Sequence, residues 1–135
     1  MADERGMTDA AEVEALKSRG LAAFRSGAWA QAGEAFYEAL RICALDGDCA
    51  GAAEMWVNLG VVHVQLKRYE LAEKELQYAL KFFRELGRRS EEAQALGNLG
   101  TLHERAGRPE RAVEFYRKAA GIFGELGEKE NQQAT

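Results

Sequence analysis

Apolar and polar residues follow one another along the chain with the beat of a helix, not of a strand. Trp56, Leu59, His63 and Leu66, then Tyr69, Ala72, Leu76, Ala79, Leu80 and Phe83, recur at steps of one, three or four, which places each set on one helical face. The spacing predicts six helices, over 9–26, 29–46, 50–66, 69–86, 90–106 and 109–126. Gly27, Lys67-Arg68 and Gly107-Arg108 fall at tight turns between helices, and Gly47, Gly87 and Gly127 suit left-handed caps at the ends of larger units. Asp48 and Ser90 are expected N-caps, and Pro109 is expected at a first helical position, where its missing N–H is no loss.

The pattern repeats. At an offset of 40, Gly20, Gly60 and Gly100 coincide, as do Ala32, Ala72 and Ala112, and Ala39, Ala79 and Ala119. Each copy is two antiparallel helices, so the expected fold is all-α, a solenoid of three stacked helix pairs. The repeats run over about 9–47, 48–87 and 88–127, with a short polar tail over 128–135, in a single domain spanning 1–135. The small residues have a packing reason. They let the two helices of a unit approach closely while Phe36, Leu76 and Tyr116 fill the space between them.

Length and composition suit that reading. The chain has 135 residues, 47% hydrophobic and 30% charged, enough for one domain with its own core. A net charge of −4 offers no electrostatic footprint for nucleic acid or an anionic membrane. No apolar stretch is long enough to span a bilayer, and the opening Met1-Ala-Asp-Glu-Arg-Gly-Met lacks a secretory pattern, so a cytoplasmic location is expected. Cys43 and Cys49 are too few for a disulfide framework and are expected to be reduced thiols.

Trp56-x-x-Leu59-Gly60-x-x-His63, followed by Tyr69, Ala72, Leu76 and Ala79, resembles the signature of the tetratricopeptide repeat family over about 13–126. His63 and His103 stand where that family prefers tyrosine, and Arg19 stands where a leucine is usual. The 40-residue period is similar to the longer-helix repeats of kinesin light chains and Pins-type adaptors. The resemblance implies a right-handed superhelix whose first helices line a concave groove for a protein or peptide partner.

By the same resemblance, the groove residues are Lys17, Leu21 and Arg25; Val57, Asn58, Val61 and Gln65; and Gln94, Asn98, Thr101 and Arg105, with Glu14, Ser18 and Glu54 beside them. Leu21, Val57 and Val61 offer apolar contact, Lys17, Arg25 and Arg105 offer cations, and Asn58 with Asn98 can give a donor and an acceptor to a peptide main chain. An extended or helical peptide with an apolar centre and acidic flanks is the expected ligand. The carboxylate clamp by which some members hold chaperone C-termini is matched by Lys17 and Asn58. Leu21, Gln94 and Asn98 replace its remaining residues, so two of its three cations are missing.

No P-loop, dinucleotide fingerprint, nucleophile elbow or H-E-x-x-H motif occurs, so no enzyme activity and no cofactor is expected. His63 and His103 occupy equivalent positions in adjacent units, but two histidines make a poor metal site, and each is expected to pack between helices with one hydrogen bond. The alternative to a peptide-binding adaptor is an assembly module. The last helix carries an apolar arc of about 180°, and Val113, Phe115 and Ile122 on it are expected to join two copies in a homodimer.

Overall fold

A computed structural model describes the backbone of residues 2–134 and the side chains of residues 9–129. Six helices follow one another: α1 (Ala2–Arg25), α2 (Trp29–Leu45), α3 (Cys49–Gln65), α4 (Tyr69–Glu85), α5 (Arg89–Arg105) and α6 (Pro109–Ala134). No strand occurs among the described residues.

Five turns of one construction join them. Residues 27, 47, 67, 87 and 107 all have positive φ, one every 20 residues, so a half-length beat runs beneath the 40-residue repeat. At each turn two amides close back onto the preceding helix. Gly27 and Ala28, for example, donate to the Phe24 and Ala23 carbonyls at 3.1 and 2.8 Å, the Schellman pattern that satisfies the free carbonyls of a helix end. Glycine fills four of the five positions, and Lys67 adopts φ 62° in the fifth.

Asp48 caps α3 as expected, its Oδ1 accepting from the Gly51 amide at 2.9 Å. Ser90 does not cap α5. That helix begins at Arg89 after Arg88, which makes no side-chain cap bond, because the turn at Gly87 starts the helix one residue earlier. Pro109 opens α6. Gly127 does not end it: α6 runs on to Ala134, so the stretch expected to be a polar tail continues the helix. The expected start of α1 at residue 9 is likewise too late, since its backbone is helical from Ala2.

Each helix packs against the one before and the one after it, and α3 also touches α5 directly. The contact inside each unit rests on a missing β-carbon. A methyl on Gly20, Gly60 or Gly100 would lie 2.5 Å from Phe36, 2.7 Å from Leu76 and 2.6 Å from Tyr116 respectively, well inside van der Waals distance. Between units, Phe36, Leu40 and Cys43 of α2 share a core with Ala52, Met55, Leu59 and Val62 of α3. Leu76 and Leu80 of α4 share the next core with Leu99 and Leu102 of α5 and with Phe115 of α6.

The two histidines sit between helices as expected, but with different partners. His63 Nδ1 lies 2.6 Å from Oε1 of the buried Glu75 in its own unit. In the next unit Phe115 stands at the position of Glu75, so His103 stacks on that ring at 5.3 Å and turns Nε2 to Glu73 of α4 at 3.1 Å. Cys43 and Cys49 are free thiols, the first buried and the second exposed.

Candidate peptide-binding groove

The first helix of each unit lines one side of the stack. Besides the direct contact of α3 with α5, Lys17 on α1 reaches Glu54 on α3 at 2.6 Å, and Arg105 on α5 donates to Gln65 on α3 at 3.1 Å. Among the described residues no second helix meets the next second helix as α3 meets α5.

Those two bridges change the electrostatics expected of the groove. The hydrogen bond that Lys17 donates to Glu54 raises the Lys17 ammonium above its ordinary pKa, partly opposed by desolvation, so this cation is already committed. Arg105 is held by a neutral amide and keeps its charge for another partner. Arg25 is exposed in the last turn of α1.

The amides behave differently from a brace. Asn58 makes only a long 3.9 Å contact with Met55 Sδ of its own helix, and among the described residues neither Asn58 nor Asn98 bonds to a neighbouring first helix. Both are half-buried. Thr101 is less available, since its hydroxyl donates to the Gly97 carbonyl at 3.2 Å and lies beside the Tyr116 hydroxyl. That phenol donates to Glu104 at 2.6 Å, and desolvation together with this carboxylate raises its pKa.

The apolar groove residues divide. Leu21 and Val57 lean on core clusters as well as facing outward, and Val61 is half-buried beside them. A cavity of about 530 Å³ opens between α3, α5 and the end of α4, and Val57, Asn58 and Gln94 line it. Asp48, Glu54, Glu91 and Arg88 line it too, which gives this end of the groove an excess of negative charge. Glu91 lies one step of three before Gln94 on the same face of α5 and was within reach of helical spacing, whereas Arg88 precedes the helix and was not.

The expected self-association residues do not stay together. Phe115 and Ile122 are 5% and 7% exposed and belong to the core shared with α5, so they are not available to a second copy. Val113 is 43% exposed. The apolar arc is wide because one half faces α5 and the other faces outward. No group of three or more metal-ligating side chains occurs among the described residues, and no described helix is long and apolar enough to cross a membrane.

Known proteins share this architecture. The TPR domain of Arabidopsis FLU superposes with a TM-score of 0.76 at 19% identity, covering 87% of this chain and 98% of that one. The N-terminal domain of stress-induced protein-1 from C. elegans gives 0.67 at 21% identity, covering 96% and 98%. BtubC (BKLC) from P. vanneervenii gives 0.53 at 18% identity over 85% of this chain and 64% of that one. A search of curated proteins returned no match. The model of the tetratricopeptide repeat matches twice, over residues 11–81 and 51–125, and with the six paired helices this makes the chain a member of the tetratricopeptide repeat family.

Proposed function

We propose that the inner face of the stack holds a peptide segment of another protein and that the chain works as a non-enzymatic adaptor. Tetratricopeptide domains generally mediate protein–protein interaction, and such domains are typically without catalysis. The observation that carries the finer reading is the cavity of about 530 Å³ between first helices, lined by Val57, Gln94 and the amide of Asn58, which among the described residues makes no bond to a neighbouring helix. An uncommitted amide can both donate to and accept from an extended main chain, and Val57 and Val61 can receive an apolar side chain.

Charge gives the ligand a direction. Asp48 and Glu91, with Glu54 shared with Lys17, favour a basic group at the cavity, and Arg25 with Arg105 favour an acidic group at the other end of the first helices. The expectation of acid on both flanks is therefore narrowed to one flank. Two free thiols fit a reducing, cytoplasmic setting.

The test is a pull-down with mass spectrometry that compares the parent chain with Asn58→Ala/Asn98→Ala/Val61→Ala. Loss of the captured partners from the variant is expected. Capture of the same partners at normal affinity by all three-site variants would mean that the groove is not the site.

A further inference from the structure

The two junctions inside the chain show what the outward half of α6 is shaped for. Phe36, Leu40 and Cys43 on α2, and Leu76, Leu80 and Phe83 on α4, are the residues that the following unit covers, and none is more than 6% exposed. Forty residues on, α6 presents Tyr116, Ala120 and Phe123 at the same positions, where Tyr116 packs on Gly100 and bonds Glu104 of its own unit while Ala120 and Phe123 are exposed. Tyr116 is 36% and Phe123 45% exposed. With Val113 and Gly127 they fall at 113, 116, 120, 123 and 127, the alternating three and four of a helix–helix seam.

The glycines of α6 point the same way. Gly124 and Gly127 lie on or beside this seam, and a β-carbon on either would meet nothing within 4 Å. Each weakens the helix relative to alanine. Gly20, Gly60 and Gly100 have a neighbour inside the chain that needs the space, and these two do not. Gly97 and Gly121 likewise meet nothing, so the open glycines of the seam allow a helix from outside the chain to approach closely without requiring one.

The opposite end decides which surface of a second copy can dock. On α3 and α5 the residues that pack under the preceding unit include Leu59 and Leu99, 3% and 0% exposed. Their counterpart on α1 is Arg19, which is exposed, with Glu12 exposed on the same face. Head-to-tail stacking would bury that guanidinium among Tyr116, Ala120 and Phe123 with no carboxylate on the seam to meet it, an uncompensated buried charge. It would also propagate without closing. A two-fold arrangement of α6 on α6 avoids both problems.

We propose that the open half of α6 is a homodimer interface, with α6 of each copy antiparallel to α6 of the other across the seam of Val113, Tyr116, Ala120 and Phe123. An antiparallel register centred between Gly121 and Ile122 brings Arg117 of one copy within about one helical turn of Glu128 of the partner copy, on the same flank of the seam. This surface is separate from the groove, so either can fail without the other.

Sedimentation equilibrium of the 135-residue chain between about 5 and 300 μM tests it. A monomer–dimer equilibrium is expected, weakened at least about tenfold by Ala120→Glu or Phe123→Glu with helical circular dichroism retained, and unchanged by Asn58→Ala/Asn98→Ala. Ala120→Cys in a Cys49→Ser background should form a disulfide-linked dimer on mild oxidation, which keeps the test valid should a glutamate variant fail to fold. A monomer at every concentration, a dimer indifferent to Ala120→Glu and Phe123→Glu, or assembly beyond the dimer would overturn the proposal.

Discussion

The ring of Phe36 occupies the place a β-carbon on Gly20 would need, with Cε1 2.5 Å from that point. The same relation joins Gly60 to Leu76 and Gly100 to Tyr116, so one atom left out of the first helix sets the approach of the second in every unit.

Gly60→Ala should therefore destabilise the chain although alanine is the better helix former. Overpacking against Leu76 costs about 1–3 kcal/mol and the helix gains about 1, which leaves a net loss of about 1 kcal/mol. Gly121→Ala, where a β-carbon meets nothing within 4 Å, should instead gain about 0.5–1 kcal/mol. Opposite shifts of the urea midpoint are the expected result, and equal shifts would contradict the packing role of Gly60.

Lys67 holds a left-handed turn that glycine holds at 27, 47, 87 and 107. A side chain in that conformation costs about 1–2 kcal/mol, partly offset by the greater freedom of glycine in the unfolded chain. Lys67→Gly should thus stabilise by about 0.5–1 kcal/mol, seen as a raised thermal midpoint with unchanged helical content.

Burial pushes the Glu75 carboxyl above its ordinary value, and the hydrogen bond to His63 pulls it back in part. A carboxyl whose folded pKa is raised contributes stability below its unfolded value of about 4.3, and that contribution is lost as pH rises through the folded value. Glu75→Gln keeps a neutral acceptor beside His63 Nδ1. The variant's stability relative to the parent should therefore rise from pH 4 to pH 7, and thermal melts across that range that keep a constant gap would contradict the assignment.

How much of this was legible in the chain follows from what periodicity can and cannot carry. Helical steps and the 40-residue offset were enough for the six helices and for the pairing of Gly20 with Phe36, because both depend on residues in one unit. Gly127 misled because it matches Gly47 and Gly87 in sequence, yet it has no positive φ and α6 runs through it to Ala134. Phe115 and Ile122 were placed on the outer face because an arc of apolar residues does not say which half meets α5. The bridges Lys17–Glu54 and Arg105–Gln65 were invisible for another reason: they join separate units, and nothing in local spacing selects such partners.

Glu54→Gln tests the consequence of the first bridge. Removing the carboxylate frees the Lys17 ammonium, and an exposed ion pair of this kind is worth up to about 1 kcal/mol. Binding of a peptide whose basic group lies at the cavity should weaken by about two- to fivefold in calorimetry, and unchanged or stronger binding would show that Glu54 does not face the ligand.

Helices that touch little beyond their neighbours in sequence also determine how the chain finds its structure. Contacts close along the chain keep loop-closure entropy small, which places folding among the fast, helical class of microseconds to milliseconds. Because no contact ties α1 to α6 among the described residues, the two ends can open independently, and their amide hydrogens should exchange with solvent before those of α3 and α4, which have a partner on both sides.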